Sequence, residues 1–293
     1  MKKEFGILID SAACCDETYL KTNDIHIVPL SLSDSNNKVY EDNGIDLPRD
    51  ILLSRMDNNE SFKTSATPLG KLTVIVEDML DVYEKVIFVP ISEGLSSQYQ
   101  QSMIIKADHP NNFFVVKSSS AGAATEFLLP HLIGWLKDKI PMEQILNKAE
   151  EFYYHTNTYF SCEDMRSMIK GGRVSNAILK IINWIHSKPI IYVDGKNQLG
   201  GIGKTYQTIL PKMIKLVKKN YKNDLTPSNV KRIAIYETGY SNEKKDFIIN
   251  ALASGFGFPK DQIAVRQLPS TILSHTRRGA YGFSIETDII RKK

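Results

Sequence analysis

Several kinds of pattern are scarce or missing in this 293-residue sequence. There are only three cysteines, Cys14, Cys15 and Cys162, and an odd number cannot pair completely into disulfides. The first residues contain only a short apolar run, so we predict no secretory signal peptide. No apolar stretch approaches the roughly 20 residues that a membrane-spanning helix needs. We therefore expect a cytoplasmic protein with reduced thiols.

Charge and metal ligands are also sparse. The net charge is only +4, and the densest basic run, residues 212–222, alternates with apolar residues as the solvated side of an amphipathic helix does. A nucleic-acid partner is therefore not expected. Cys14 and Cys15 lack further ligands at a spacing that suits a metal, and no pair of carboxylates stands out. We expect neither a metal nor a cofactor.

What the sequence does contain is an alternation of strand and helix patterns. Apolar residues make up 42% of the chain and charged residues 24%, which is typical of a folded protein, and the length favours two domains. The alternation predicts an α/β fold with two domains, each with a mostly parallel sheet flanked by helices. We place the boundary so that residues 1–156 form the N-terminal domain and residues 157–293 the C-terminal domain.

The stretch from Lys85 to Ile105 predicts a buried strand, a sharp loop and a helix. Ser96 and Ser97 would lie at the start of that helix, where unpaired backbone N–H groups and the helix dipole attract an anion. Thr64 and Ser65 precede another predicted helix in the same way. Helix capping alone would account for either pair of hydroxyl residues. The occurrence of two such pairs favours an anion site.

Polar side chains occur at other predicted strand ends as well. Asp10 and Ser11 close the first strand, and the serines at 118–120 follow a later one. In open parallel sheets, ligands bind beyond the carboxyl ends of the strands. These residues are therefore expected to support the same site.

His275 differs from the other histidines because small and hydroxyl residues, including Ser274 and Thr276, surround it in the sequence. We predict that it lies in a loop contributed by the C-terminal domain. Arg173 lies in a second loop of that domain. Hydrogen-bond donors without an acid–base pair indicate that an anion is bound rather than transformed.

Two motifs suggest chemistry but are incomplete. Residues 200–205 resemble a phosphate-binding loop, yet Gln198 occupies the position of the first required glycine. Ser96 and His275, oriented by Asp10, would form a hydrolase triad, although the second glycine of a nucleophile elbow is missing. An esterase or thioesterase, and a sensor of small anions, are the alternatives to a carrier.

Six motifs resemble, in order and spacing, those of the DegV family of FakB-type fatty-acid-binding proteins. They are Ile9-Asp-Ser, Lys63-Thr-Ser-Ala-Thr-Pro, Ile91-Ser-x-x-Leu-Ser-x-x-Tyr-Gln, Lys170-Gly-Gly-Arg-Val-Ser, Lys188-Pro and Ser274-His-Thr-x-x-Gly-Ala. The resemblance implies a non-enzymatic carrier that binds one long-chain fatty acid between two α/β domains, with the acyl chain in an apolar tunnel. It also implies that the carrier presents this acid to a separate FakA-type fatty acid kinase, which forms the acyl phosphate.

The resemblance also implies roles for individual residues. The fatty acid carboxylate would be held by hydroxyl groups and one histidine: Thr64, Ser65, Ser96, the adjacent Ser97, and His275. Arg173 would lie in the binding region or support it, together with four further residues: Asp10, Ser11, Ser274 and Thr276.

The sequence departs from the family pattern at several positions. Ser97-Gln98 replaces Gly-Thr, Ala66 replaces a glutamine and Ala12 a threonine. The change at Ser97-Gln98 is expected to affect the fine geometry of the anion site. Arg277-Arg278 replaces Gly-Pro, which is expected to affect docking of the kinase or a transient contact with an anionic membrane.

Overall fold

The computed structural model describes residues 2–174, 178–179 and 187–291. The strands are β1 (Lys3–Asp10), β2 (Ile25–Val28), β3 (Ser31–Ser33), β4 (Val39–Glu41), β5 (Lys63–Ser65), β6 (Tyr83–Val89), β7 (Phe113–Val115), β8 (Thr156–Ser161), β9 (Lys188–Asp194), β10 (Lys196–Gly203), β11 (Val230–Glu237), β12 (Ala264–Gln267) and β13 (Tyr281–Thr287). The helices are α1 (Glu17–Thr22), α2 (Arg49–Asp57), α3 (Leu69–Val82), α4 (Gln98–Asp108), α5 (Ala123–Lys137), α6 (Met142–Phe152), α7 (Arg166–Lys170), α8 (Tyr206–Asn220), α9 (Asn242–Phe256) and α10 (Ser270–Thr276). The apolar residues between positions 176 and 186 predict a further helix, which lies outside the described residues except at 178 and 179.

The first sheet is parallel, with strand order β2-β1-β6-β7. Its two central strands alternate their side chains between two apolar layers. Leu8 and Phe88 pack with residues of α3 and α4 on one face, whereas Ile7 and Ile87 pack with residues of α5 and α6 on the other. Both faces are therefore covered, which explains why these strands consist of continuous apolar runs.

A small antiparallel sheet, β4-β3-β5, lies beside the parallel sheet. Its strand β5 pairs with β3 so that Thr64 is opposite Leu32 and Ser65 is opposite Ser31. The helix α2 follows β4 in the chain and contacts α10. Through this sheet the Thr64–Ser65 segment reaches the second half of the molecule.

The second sheet confirms the α/β fold, but its pairing is mixed rather than mostly parallel. Its strand order is β10-β9-β8-β13-β11-β12, and β11–β12 is a parallel pair among antiparallel neighbours. The difference arises because β9 and β10 are joined by a tight turn at Asp194 and Gly195, which requires antiparallel pairing. The strands β11 and β12 are instead connected through α9, a crossover that permits parallel pairing.

The two sheets share apolar packing and charged contacts. Tyr236 and Leu273, from the second half of the chain, belong to the same buried cluster as α5. Glu126 accepts two hydrogen bonds, of 2.7 and 2.6 Å, from the guanidinium of Arg266, and Arg49 pairs with Glu237 at 2.7 Å. The start of β8 at Thr156 coincides with the expected domain boundary, while the division itself stays a prediction.

Within the described parts of the chain, none of the helices combines the length and the apolar character needed to cross a bilayer.

Candidate functional site

A cavity of about 950 Å³, counted with its opening, lies between the parallel sheet and the mixed sheet. Its walls are largely apolar and come from both halves of the chain. They include Leu30, Ile91, Leu95, Ala121, Phe160, Met168, Val193, Leu268, Ile272 and Ala280. Such walls suit an apolar ligand.

Six of the predicted site residues also line this cavity. They are Thr64, Ser65, Ser96, Arg173, His275 and Thr276. They come from four separate segments: β5, the loop before α4, the turn after α7, and α10. The structure therefore brings together hydroxyl groups, one imidazole and one guanidinium that are far apart in sequence.

The hydroxyl of Thr64 lies 2.8 Å from Nε2 of His275, which joins β5 to α10. His275 lies in the last turn of a short helix and not in a loop as expected. The hydroxyls beside it bond back to carbonyls of the preceding turn, Ser274 Oγ to Thr271 at 2.8 Å and Thr276 Oγ1 to Ile272 at 3.2 Å. Ser and Thr are weak helix formers, but such local bonds satisfy their hydroxyls inside a helix.

The imidazole of His275 is uncharged at neutral pH. Burial, assisted by the nearby positive charge of Arg173, lowers its pKa to about 4, against a smaller opposing effect from a hydrogen bond to the backbone of Ser167. The ring packs directly on Gly171, where a Cβ atom would lie 2.5 Å from the ring Cε1 and 2.6 Å from Nδ1. A glycine is therefore needed at this position for the ring to occupy its place.

Arg173 is held by the backbone around the cavity. Its Nε donates to the carbonyl of Leu95 at 3.4 Å, and its Nη1 donates to the carbonyl of Gly171 at 2.5 Å. Asn197, which also lines the cavity, donates from Nδ2 to the carbonyl of Arg173 at 2.8 Å. The guanidinium thus connects the loop before α4 to the turn after α7.

Asp10 and Ser11 lie behind the cavity and do not line it. One carboxylate oxygen of Asp10 accepts from the N–H of Ile91 at 2.6 Å and the other from that of Ala12 at 3.1 Å, which fixes the loop that leads to Ser96. Burial raises the pKa of Asp10 to about 7, against the lowering effect of these two bonds. Ser11 accepts from the N–H of Leu30 at 3.1 Å.

Asp42 is a supporting residue that the sequence analysis missed. It accepts hydrogen bonds from the backbone N–H groups of Ser270 at 2.8 Å and Thr271 at 3.3 Å, and from the hydroxyls of Thr271 and Ser11. A carboxylate here satisfies free N–H groups at the start of α10 and thereby orients His275. Burial raises the pKa of Asp42 despite these bonds.

The structure separates the roles of Ser96 and Ser97. Ser96 lines the cavity, and its Oγ accepts from the N–H of Gln98 at 3.3 Å. Ser97 is exposed and does not line the cavity. Gln98, a departure from the family pattern, holds Thr67 through its amide oxygen at 2.9 Å and its amide nitrogen at 3.0 Å. These two hydrogen bonds between Gln98 and Thr67 connect the start of α4 to the segment that follows Thr64.

Arg277 and Arg278, which replace Gly-Pro of the family pattern, contact other residues of the chain. Arg277 is 9% exposed, donates to the carbonyl of Met56 and pairs with Asp164 at 3.0 Å. Arg278 pairs with Asp57 at 2.9 Å. They therefore connect α10 to α2 and to the segment before α7.

A second polar group lies in the cavity wall around Tyr236. Its hydroxyl accepts from the N–H of Ala123 at 2.9 Å and lies 2.5 Å from the hydroxyl of Ser284, which is 2.6 Å from that of Thr158. Tyr236 and Thr158 both line the cavity. Sequence reasoning did not identify these residues, because they lie on strands whose pattern is that of ordinary buried sheet.

No group of histidine, cysteine or acidic side chains that would hold a metal ion occurs among the described residues. The three cysteines are unpaired thiols. The arrangement is thus a set of hydrogen-bond donors and acceptors at the margin of an apolar cavity.

Comparison with known proteins identifies relatives along the whole chain. A family model described as "Uncharacterised protein, DegV family" matches residues 4–288. A DegV domain-containing protein of Ureaplasma parvum is 28% identical over 292 residues, covering 100% of this chain and 98% of that protein.

Solved structures show the same fold. A fatty-acid-binding DegV family protein from Thermus thermophilus has a TM-score of 0.83 at 19% identity, covering 97% of this chain and 99% of that one. A stearic-acid-binding protein from Eubacterium ventriosum has a TM-score of 0.83 at 22% identity, covering 98% of each chain.

Replacing Gly171 by Ala should displace the imidazole of His275. The backbone φ of −78° accepts an alanine, so the effect comes from the steric contact alone and should lower the free energy of unfolding by about 1–3 kcal/mol. The His275 ring signals in ¹H–¹⁵N NMR spectra should shift. Gly134→Ala, in open space on α5, should raise stability by up to about 1 kcal/mol; equal effects of the two variants would refute the contact.

Stability should depend on pH through His275. Its folded pKa of about 4 lies below the ordinary 6.5, so between these values the unfolded chain binds the extra proton and the free energy of unfolding falls as the pH falls. Asp10 has a folded pKa of about 7 against the ordinary 3.8, so its contribution to the free energy of unfolding rises as the pH falls between these values.

The test of this dependence is urea unfolding at several pH values between 6.5 and 4. Relative to the unmodified protein, His275→Gln should gain about 2 kcal/mol over this interval, and Asp10→Asn should lose stability over it. A constant difference between His275→Gln and the unmodified protein would contradict the lowered pKa.

Proposed function

The chain belongs to the DegV family, and we propose that it binds one long-chain fatty acid in the cavity between its sheets. The carboxylate lies among Thr64, Ser65, Ser96 and His275, and the acyl chain lies along the apolar walls. The observation that carries this proposal is the meeting of these polar side chains at one apolar cavity. The fatty-acid-binding proteins among its structural neighbours support it.

The expected energetics fit such a ligand. Each hydrogen bond to a charged carboxylate contributes about 1.5–3 kcal/mol, and each buried methylene contributes roughly 0.8 kcal/mol. An acyl chain with many methylenes therefore supplies most of the affinity. The polar residues then determine the position and orientation of the acid.

We further propose two domains, residues 1–156 and residues 157–293, with the ligand between them. Thr64 and Ser96 come from the first and Arg173 and His275 from the second, and all four line the cavity. We place the protein in the cytoplasm, and the unpaired thiols of its cysteines support a reducing compartment.

A carrier is favoured over an esterase by the contacts of the would-be triad. His275 Nε2 contacts Thr64 at 2.8 Å, whereas Ser96 accepts from a backbone N–H. Asp10 accepts from the N–H groups of Ile91 and Ala12, so both its oxygens are engaged away from the imidazole. This arrangement suits the binding of an anion better than the activation of a nucleophile by a base. The apolar walls of the cavity also disfavour a sensor of small anions.

As a FakB-type carrier, the protein presents the acid to a separate FakA-type fatty acid kinase, which phosphorylates the carboxyl group. Because Gln198 interrupts the phosphate-loop pattern, ATP would have to be bound by that partner. A transient contact with an anionic membrane was also expected from Arg277 and Arg278. Arg277 is buried and Arg278 is paired with Asp57, so the carrier proposal does not depend on that contact.

Native mass spectrometry of the purified protein should show a fatty acid adduct, and the acid should be identified after extraction. Ser96→Ala removes a hydrogen-bond donor to the carboxylate and should weaken dodecanoate binding at least about tenfold, since one hydrogen bond of about 1.5–3 kcal/mol is lost. Ser97→Ala, at an exposed neighbouring position, is the matched control and should bind normally.

A protein that neither retains nor takes up any fatty acid would refute the carrier. Turnover of short p-nitrophenyl esters that disappears in Ser96→Ala would instead establish the esterase. Equal losses in Ser96→Ala and Ser97→Ala would show that the head group is placed incorrectly.

A further inference from the structure

We propose that the fatty acid is bound together with one proton from solution, which is shared between its carboxyl group and the His275–Thr64 pair. This inference rests on the proposed function and adds a proton stoichiometry to it. It follows from the hydrogen bond between the two side chains and from their polar neighbours.

Both ring nitrogens of His275 have polar neighbours. Nε2 lies 2.8 Å from the hydroxyl of Thr64. Nδ1 lies beside the carbonyl of Ser167, since a Cβ atom at Gly171 would be 2.6 Å from Nδ1 and 3.1 Å from that carbonyl oxygen. A carbonyl oxygen can only accept, so we assign the single N–H group of the neutral imidazole to Nδ1.

The tautomer determines what Thr64 can do. Because Nε2 has no hydrogen, it accepts from the hydroxyl of Thr64, whose only proton then points at the ring. Without a ligand, the pair presents lone pairs and no free donor to the cavity. A carboxylate next to it would meet oxygen and nitrogen lone pairs alone.

One added proton reverses this arrangement. Protonated Nε2 donates to Thr64 or to the ligand, and the hydroxyl proton of Thr64 becomes free to point at a carboxylate oxygen. The same result is obtained when the acid arrives protonated and donates to Nε2. In both cases one N–H or O–H bond forms, and no covalent bond between heavy atoms changes.

The imidazole ring is not free to rotate so that Nε2 turns away from the ligand. Gly171 packs against Cε1 and Nδ1, and the carbonyl of Ser167 lies on the same side of the ring. Asp42 holds the beginning of α10 through Ser270 and Thr271. The ring is therefore fixed with Nε2 toward Thr64.

The residues around His275 leave the negative charge that would balance a protonated imidazole to be supplied by the ligand. The elements packed against α10 are α7, α2, β3 and β5. The charged residues of these elements are Arg166, Lys170, Arg49, Asp50, Arg55, Asp57 and Lys63. Four more charged residues lie near α10 or the ring: Asp42, Arg277, Arg278 and Arg173. Among the described residues none of the carboxylates forms an ion pair with His275, and Asp57 is paired with Arg278.

A bound carboxylate makes protonation of His275 more favourable. With Arg173 nearby and the ring largely buried, protonation is unfavourable in the free protein. An opposite charge within about 4–6 Å favours the imidazolium. The proton and the acid therefore stabilise each other in the cavity, and binding of one is linked to binding of the other.

Isothermal titration calorimetry with monomeric dodecanoate at pH 7.5, in phosphate and in Tris buffer, measures the proton count. The two buffers differ in ionisation enthalpy, so the difference in binding heat gives the protons taken up. We expect about one proton per acid, and a loss of affinity of about tenfold between pH 7 and pH 8. His275→Gln should bind more weakly and take up no proton.

Two controls separate other titrating groups. His131→Gln, whose histidine pairs with Glu286 at 2.9 Å and does not line the cavity, should keep both affinity and proton count. Asp10→Asn tests the buried carboxyl behind the site and should keep the proton count whatever its affinity.

The outcomes distinguish this inference from the carrier proposal. Absence of binding of dodecanoate and of longer fatty acids in the unmodified protein would count against the carrier itself. Normal binding without proton uptake would overturn the inference and leave the carrier intact. Uptake that persists in His275→Gln, or that disappears in Asp10→Asn, would also overturn it, since the proton would then lie elsewhere.

Discussion

The hydrogen bond between Thr64 and His275 connects residues that are 211 positions apart, and the polar margin of the cavity depends on it. Thr64 reaches this point from the small antiparallel sheet, and His275 reaches it from the last turn of α10. Each residue becomes part of a site only because the two sheets pack against each other. The candidate site is therefore created by tertiary structure and not by any single loop.

Acidic residues support this site without entering it. Asp10 holds the loop before Ser96, and Asp42 holds the start of α10. Neither lines the cavity, where a carboxylate would repel an anionic ligand. Hydrogen bonds from backbone N–H groups offset only part of the cost of their burial, and those bonds orient the neutral hydroxyl and imidazole groups. The acidic groups thus stay behind the wall and leave the cavity open to a carboxylate.

Much of the architecture could be predicted, because alternating strands and helices have strong local patterns. The parallel sheet and the hydroxyls at its strand ends follow from such patterns. The mixed pairing of the second sheet could not be read from periodicity alone, which does not determine strand direction. His275 was expected in a loop because its neighbours are weak helix formers, yet their hydroxyls bond within the helix.

Other features depend on contacts that no local pattern contains. Ser96 and Ser97 are adjacent and chemically identical, but the turn directs one toward the cavity and the other to solvent. Asp42 acts on a helix 228 residues away, so no nearby sequence indicates its role. Gln98 departs from the family pattern, yet its amide forms two bonds with Thr67, a compensation visible only in three dimensions.

A crystal structure of the protein with a bound saturated fatty acid tests the central claim most directly. We predict that a carboxyl oxygen will lie within about 3.2 Å, the range of a hydrogen bond, of the hydroxyl of Thr64 or Ser96 or of Nε2 of His275. The acyl chain should then lie along the apolar walls. A head group beside Tyr236, or an acid bound on the outer surface, would contradict the account.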